Sequence, residues 1–387
     1  MKKVYADNSS TSYPKAPGVS DAIKHFLDNT GCNVNRGSYT DSYNTAMEIL
    51  DTRQLLADMF NAVSPKEVVI TPSVTYSLNM ILLGFLKNGD HIITTSIEHN
   101  AVMRPLHALS KTGVTYDTVP CDTDGSLKAD DIIPFIKKET KAVVMTHASN
   151  VCGTILPIGR VSEICKTYKL KLIVDAAQTA GVLEVDAREI DAFAFTGHKG
   201  LLGSQGIGGF KIKEGFANEI SPIITGGTGS NSHEIEQPHF LPDKFESGTM
   251  NIPAILGLKK AVEYINSTGV ESIHVKKIAL TSAFLSKVCN IDGVSIIGKK
   301  DVMDRIAVVS LDFLKNDNAL VASALDEKYG IMTRCGLHCA PSAHRSLGTY
   351  PQGTVRFSFG YANTSDDVEY ISDSIKEILE NDVSYGF

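Results

Sequence analysis

The feature that most constrains the fold is the alternation of short apolar runs with helix-length segments between residues 67 and 212. Continuous apolar runs are typical of strands covered on both faces, and strand–helix alternation predicts a doubly wound, mostly parallel sheet. Strands are predicted at 67–73, 90–99, 141–150, 171–181 and 191–197, with an antiparallel return at 206–212. Helices are predicted over YSLNMILLGFL, NAVMRPLHALSKTG and GRVSEICKTYK.

The pattern changes after residue 212. Residues 213–250 are rich in Gly, Ser, Pro and His and are predicted to be a long loop region, which usually carries function or partner contacts. A helix at 252–266 precedes a second strand–helix–strand–helix series, in which the alternation of VRFSFGY predicts a sheet covered on one face. The predicted organisation is an N-terminal segment 1–20 packing near the small domain, a large domain 21–264 and a small C-terminal α/β domain 265–387.

Composition excludes several classes of protein. The chain has 387 residues, a formal net charge of -7 and no long basic run, so nothing indicates a nucleic-acid partner. The N-terminus lacks a signal-like apolar region, and no apolar run approaches the roughly 20 residues that span a bilayer, which predicts a cytoplasmic protein without a membrane partner. The seven cysteines are odd in number and scattered, as in reduced proteins.

Polar side chains follow the predicted strands at the edge where α/β sheets bind ligands. Asp175 ends the run LIVD and needs a cationic partner. Lys199 follows a buried run, and an amine in such a place can have a lowered pKa and form a Schiff base. His99 is placed to lie flat on an aromatic ring, and phosphate donors follow at Thr75, Thr196 and His198. This combination predicts a pyridoxal phosphate site.

Eight motifs make the prediction specific. They are SVTYSLN, EHNA, SNVCGT, DAAQTAG, TGHKGLLGSQGIG, FESGTMNIP, RCGLHCAP and VRFSFGYANTSDDV. In this order, over about residues 30 to 370, they resemble fold-type I pyridoxal phosphate enzymes of the class V aminotransferase group, in the cysteine desulfurase branch. The resemblance implies the fold-type I transferase architecture, with a doubly wound large domain and a smaller α/β domain.

The resemblance also implies roles for the site residues. Lys199 carries the cofactor and moves protons, Asp175 pairs with the pyridine nitrogen, Gln178 approaches the phenolic oxygen and His99 stacks on the ring. The phosphate is held by Val74, Thr75, Thr196 and His198, and by Thr249 of a neighbouring subunit, so a homodimer is implied. The residues implied to face the substrate L-cysteine are Asn150, Asn35, Arg36 and Arg356, with Arg356 binding its carboxylate.

Cys339 is the sharpest marker of the branch. A cysteine at this place in desulfurases takes the sulfur of the substrate as a persulfide, leaving alanine, and passes it to an acceptor, which can be a protein. This chemistry needs an exposed thiolate, and Arg334 and His338 are predicted to supply positive charge. One departure is Asn35, which stands before Arg36 where known desulfurases have a histidine.

Several alternatives remain at this point. Selenocysteine lyase shares the scaffold, and in an aminotransferase or cysteine lyase Cys339 would be idle. A different class is a sulfur carrier or scaffold that acts only with a partner. A zinc site built from Cys335, His338, Cys339 and His344 is not predicted, because the spacing C-x3-C-x4-H matches no common zinc finger. Whether Cys335 resolves a persulfide on Cys339 stays open.

Overall fold

The structure is a computed structural model that describes residues 2–34, 37–231 and 233–380. Its strands are β1 Val4–Tyr5, β2 Val68–Thr71, β3 His91–Thr95, β4 Thr115–Val119, β5 Thr140–Thr146, β6 Lys171–Asp175, β7 Ala192–Thr196, β8 Gly208–Ile212, β9 Val294–Ile297, β10 Val308–Phe313, β11 Ile331–Met332, β12 Arg334–Gly336 and β13 Thr354–Ser358. Its α-helices are α1 Val19–His25, α2 Thr40–Met59, α3 Val74–Phe85, α4 Asn100–Ser110, α5 Ile158–Tyr168, α6 Glu214–Ala217, α7 Ile252–Thr268, α8 Val270–Val288, α9 Asn318–Tyr329, α10 Pro341–Ser346 and α11 Ser365–Glu380.

The large sheet confirms the predicted α/β architecture. In the described part of the chain its seven strands run in the order β2-β8-β7-β6-β5-β3-β4. Strand β8 is antiparallel to both of its neighbours, as predicted for 206–212, whereas the remaining pairs are parallel. Every residue of β3, β7 and β8 is buried, as expected for strands covered on both faces.

Among the elements that were not predicted, three are informative. Strand β4 lies at the edge of the sheet and is partly exposed, so its sequence TYDTV mixes polar and apolar residues. The long helix α2 leaves apolar side chains on its exposed face, which obscures the usual separation of polar and apolar positions. Helix α8 begins at Val270, shortly after residue 265, the predicted start of the small domain. The domain boundary near residue 265 stays a prediction.

The small sheet is antiparallel, in the order β12-β13-β10-β9. The prediction that VRFSFGY belongs to a sheet covered on one face is wrong, because all of β13 is buried. Its polar residues Arg356 and Ser358 contact the N-terminal segment: Arg356 Nη2 lies 2.9 Å from Asp7 Oδ1, and the Ser9 N–H donates to Ser358 Oγ at 2.8 Å.

The N-terminal segment connects the two sheets. Strand β1 pairs in parallel with β11, and farther along the Ser12 N–H donates to the carbonyl of His198 at 2.8 Å. The same carbonyl accepts from Thr11 Oγ1 at 3.1 Å and from Lys15 Nζ at 3.2 Å. The turn that carries Lys199 is therefore held from the outside by residues 11–15. Across the described ranges, none of the helices has the length and apolar character needed to span a bilayer.

Candidate active site

The ends of three central strands meet at one edge of the large sheet. Strand β5 ends at Thr146, which is paired with Asp175 at the end of β6, and Asp175 is paired with Ala194 of β7. Lys199 lies in the turn that follows β7. The topology thus brings together the carboxylate and the amine that are 24 positions apart in the sequence.

Lys199 and Asp175 have the electrostatics of a functional pair. Burial lowers the pKa of the Lys199 amine to about 8, although Asp175 opposes the shift. Asp175 is 3% exposed, and its Oδ1 accepts the Ala177 N–H at 2.9 Å. Burial raises the pKa of Asp175, while the Ala177 N–H and Lys199 oppose that rise. A cation placed against this carboxylate would keep it ionised.

His99 presents a neutral ring at the same edge. It precedes α4, and its Nδ1 accepts the Ala101 N–H at 3.0 Å, which leaves the proton on Nε2. Burial, together with the positive charges of Lys199 and Arg334, lowers the pKa of His99 to about 4. The ring is therefore uncharged at neutral pH and suited to stacking.

Several donors near the end of β7 have no partner within the described residues. They are Thr196 Oγ1, His198 Nδ1 and Ser204 Oγ, all buried. Helix α3 starts nearby at Val74, with Thr75 in its first turn, and a Cβ on Gly208 would lie 3.0 Å from the Ser73 backbone. Unpartnered donors beside a helix N-terminus fit an anionic group such as a phosphate.

Cys339 is exposed in a loop held over His99. Its carbonyl accepts the Asn100 N–H at 2.8 Å, and the carbonyl of His338 accepts from Asn150 Nδ2 at 2.8 Å. His338 and Cys339 both have positive φ angles, 49° and 57°, which are uncommon for residues other than glycine. Such a backbone persists only where surrounding contacts hold it, and these hydrogen bonds supply them.

Arg334 supplies the positive charge beside the thiol. Its Nη2 lies 3.6 Å from Cys339 Sγ. The prediction that His338 adds charge is wrong, because burial lowers the pKa of its imidazole to about 2. His338 is 3% exposed, and its Nε2 lies 3.0 Å from Thr354 Oγ1, so it is a neutral group that braces the loop.

The comparisons with known proteins agree with this geometry. A family model, Aminotransferase class-V, matches residues 4–371. The chain belongs to this family. A probable cysteine desulfurase of Methanothermobacter thermautotrophicus is 32% identical over 97% of this chain and 94% of its own length. The cysteine desulfurase of Haloferax volcanii is 30% identical over 97% of this chain and 89% of its own length.

Solved structures place the chain in the cysteine desulfurase branch of the class V aminotransferases. The apo structure of a cysteine desulfurase from Thermococcus onnurineus is similar with a TM-score of 0.92 and 31% identity, over 98% of this chain and 95% of that one. Cysteine desulfurase CsdA from Escherichia coli gives 0.88 and 26%, over 98% of this chain and 95% of that one. The resemblance and fold class predicted from the eight motifs are confirmed.

The class V family implies pyridoxal phosphate, and the residues present fit it. The unpartnered Thr196 and His198 atoms suit its phosphate, Asp175 suits a protonated ring nitrogen, and the desolvated Lys199 amine suits its aldehyde. Gln178, predicted near the phenolic oxygen, is buried and donates through Nε2 to the Ser9 carbonyl at 3.2 Å. The Gln178 side chain therefore also holds the N-terminal segment in place.

Other predicted residues lie less directly at the site. Thr249 is exposed and lines a surface pocket with Tyr76 and Gly206. Asn35 and Arg36 lie outside the described residues. Asn150 holds the His338 carbonyl, so its structural contact is with the cysteine loop.

Cys335 lies on a strand and packs into the small domain, whereas Cys339 is exposed in the following loop. Side chains alternate along β12, so Cys335 points away from the face of Arg334 and packs against the apolar core of the small domain. Burial raises the pKa of its thiol. Within the described ranges, no group of three or more His, Cys, Asp or Glu side chains could hold a metal ion.

Sequence reasoning missed Asp7 and Ser10. Asp7 pairs with Arg356, and Ser10 Oγ accepts from both Arg334 and Arg356. The stretch YADNSST carries no strand or motif signal that links it to arginines more than 320 positions later. The pairing of β1 with β11 and the contacts of residues 7–9 with Ser358 bring it there.

We expect the uptake of pyridoxal phosphate by the apoprotein to accelerate as pH rises through about 8. Only the deprotonated amine attacks the aldehyde, and a lowered pKa moves its deprotonation down from the ordinary value near 10.5. The rate of cofactor absorbance change, measured on either side of that pH, checks this. A transition that stays near 10.5 would show that the Lys199 amine is not desolvated.

Proposed function

We propose that this protein is a pyridoxal phosphate-dependent cysteine desulfurase, which converts L-cysteine to L-alanine and places the sulfur on Cys339 as a persulfide. The observation that carries the proposal is the position of Cys339. Its exposed thiol lies 3.6 Å from a guanidinium nitrogen of Arg334, and its backbone carbonyl accepts the N–H of Asn100, the residue directly after His99. Relatives named cysteine desulfurase over nearly the whole chain support the same reaction.

The cofactor would be held by Lys199, Asp175, His99, the phosphate donors of β7 and the start of α3. When bound, pyridoxal phosphate supplies an electron sink for bonds to the α-carbon of an amino acid. Lys199 would then accept and return protons at the substrate carbons, a task suited to an amine with a pKa of about 8. Asp175 would remain ionised, and the neutral His99 ring would keep water from one face of the site.

The sulfur step uses the thiolate of Cys339. Its Sγ forms a bond to the substrate sulfur as the carbon–sulfur bond breaks, and the electron pair of that bond stays with carbon. Lys199 would then return a proton to the side-chain carbon of the alanine. One Cys339 thiol and one L-cysteine thus give one Cys339 persulfide and one L-alanine. Arg334 favours this step because positive charge stabilises the attacking thiolate.

An exposed persulfide also explains the proposed partners. A soluble sulfur-acceptor protein in the cytoplasm could reach Cys339 without rearrangement of the core, because the loop lies at the surface. Neither a nucleic acid nor a membrane is part of the proposal. The acceptor would be recognised by a thiol of its own that attacks the outer sulfur.

We further propose that the protein is a homodimer. Helix α2 exposes Tyr43, Met47 and Leu50, which lie on one face at helical spacing and are each at least 45% exposed. Contiguous exposed apolar residues indicate a protein interface. A partner covering this face fits the predicted contribution of Thr249 to the neighbouring phosphate site.

Met47→Asp is expected to convert the dimer to a monomer and to weaken cofactor retention, because a buried unpaired charge opposes association. Molar mass by light scattering, with cofactor absorbance in the same sample, checks this. Leu314→Asp is the matched control, since Leu314 is 67% exposed on the small domain. A wild-type monomer, or a dimer in both variants, would contradict the role of α2.

The direct test is to incubate the purified holoprotein with L-cysteine and a reductant. We expect sulfide and L-alanine in equal amounts. Pyruvate in place of alanine would indicate a cysteine lyase, and selenide release from L-selenocysteine alone would indicate a selenocysteine lyase. Fast turnover without an added protein would exclude a carrier that acts only with a partner.

A further inference from the structure

The guanidinium that we expect to bind the substrate carboxylate is already occupied. Arg356 is 1% exposed. Its Nη1 donates to the Asn150 carbonyl at 3.0 Å, and its Nη2 donates to Asp7 Oδ1 at 2.9 Å. Its Nε is buried and has no partner within the described residues. A carboxylate that approaches this guanidinium therefore finds both Nη atoms already hydrogen-bonded.

Asp7 is the partner of Arg356 that a substrate carboxylate can replace, because both are carboxylates. The Asn150 carbonyl belongs to the backbone, and Ser10 is neutral, so among the described hydrogen-bond partners of Arg356 the negative charge belongs to Asp7. The Asp7 side chain is 18% exposed, whereas that of Arg356 is 1% exposed. Two carboxylates on one buried guanidinium would repel each other, so the second must displace the first or bind weakly.

A second cation is placed to receive the displaced carboxylate. Arg334 lies directly opposite Arg356 on the paired strands β12 and β13. Ser10 Oγ accepts from Arg334 Nη1 at 3.0 Å and from Arg356 Nη2 at 2.8 Å, and it donates to Asp7 Oδ1 at 2.8 Å. Asp7 can thus pass from one arginine to the other around the same serine. The cluster holds two cations and one anion, so a single added carboxylate neutralises it.

We propose that Asp7 is a specificity-determining residue: its carboxylate occupies, on Arg356, the position that the substrate α-carboxylate takes when the substrate binds. The proposal rests on the proposed function, in which Arg356 binds an amino-acid substrate. In the free protein Asp7 keeps a buried guanidinium paired, which avoids the cost of an isolated buried charge. When the substrate binds, its carboxylate takes the contacts to Arg356 and Asp7 moves to Arg334. An amine without a carboxylate cannot drive this exchange.

The test is the affinity of the holoprotein for L-alanine and for ethylamine, which lacks the carboxylate, read from the absorbance of the bound cofactor. Asp7→Asn removes the charge at nearly constant size. We expect it to tighten L-alanine binding by about tenfold, the order of effect of one neighbouring like charge. Ethylamine binding should not change. Asp7→Glu keeps the charge and should bind L-alanine like the wild type.

Unchanged or weaker L-alanine binding by a folded Asp7→Asn variant overturns the proposal, as does the absence of L-alanine binding in both proteins. Thermal unfolding checks the fold. Ser10→Ala is the second variant: it loosens the hold on Asp7, so a smaller tightening in the same direction is expected, and weaker binding again overturns the exchange. Sulfide release from L-cysteine by the wild type is measured separately. Its absence would contradict the proposed function without affecting the binding comparison.

Discussion

Lys199→Ala is expected to abolish covalent attachment of pyridoxal phosphate and to lower sulfide release from L-cysteine by at least about 10⁴-fold, the upper end of what one positioned proton-transfer group supplies. The variant removes the amine that would carry the cofactor and the base that would move protons. It also leaves Asp175 buried with one fewer opposing charge. Cofactor absorbance, borohydride trapping and sulfide assays measure these losses.

Lys211→Met is the matched control. Lys211 is 1% exposed, and burial lowers the pKa of its amine to about 8, as for Lys199. Its Nζ donates to the carbonyls of Ala187 and Ile190, both at 3.0 Å, away from the site. We expect a loss of about 1–3 kcal/mol of stability from the unpaired carbonyls, with cofactor attachment retained. Retained attachment in Lys199→Ala would contradict the assigned role.

Cys339→Ala is expected to keep the cofactor but to lower alanine and sulfide formation by about 10²–10⁴-fold, the range of a single positioned catalytic group. Its thiol is the proposed acceptor of sulfur, and Arg334 lies 3.6 Å from its Sγ. Unchanged absorbance of the bound cofactor, together with lost turnover, would separate this effect from misfolding.

Cys335→Ala is the companion variant, because Cys335 lies four residues away in the same stretch but packs into the small-domain core. We expect turnover close to that of the wild type. Alanine formation that survives Cys339→Ala would remove the thiol from the mechanism and favour an aminotransferase or cysteine lyase. Loss in Cys335→Ala alone would indicate that Cys335 takes part in sulfur transfer.

The sequence predicted the parts of the fold that are buried on both sides. The apolar runs of β5, β6 and β7 are buried, as expected for strands covered on both faces of the sheet. The edge strand β4 and the helix α2 escaped prediction because their surroundings are not local. Strand β4 is half-exposed, and helix α2 exposes Tyr43, Met47 and Leu50, the residues of the proposed subunit interface.

Site residues that directly follow a predicted strand could be predicted from the sequence. Contacts between residues far apart in the sequence could not. Asp175 and Lys199 each end an apolar run, so their placement followed from topology. The charge state of His338 could not be predicted from the sequence, because the pKa of its imidazole depends on burial in the folded protein. The pairing of Asp7 with Arg356 joins positions 349 residues apart, which no local pattern reveals.

The most direct test of the account is the mass of the peptide that contains Cys339, after the holoprotein has reacted with L-cysteine in the absence of reductant. We predict the added mass of one sulfur atom on that peptide, which dithiothreitol removes and which is still present on the corresponding peptide of the Cys335→Ala variant. Because both cysteines fall in one short stretch, fragmentation must assign the sulfur to Cys339. An unmodified Cys339, with alanine still formed, would contradict the central claim.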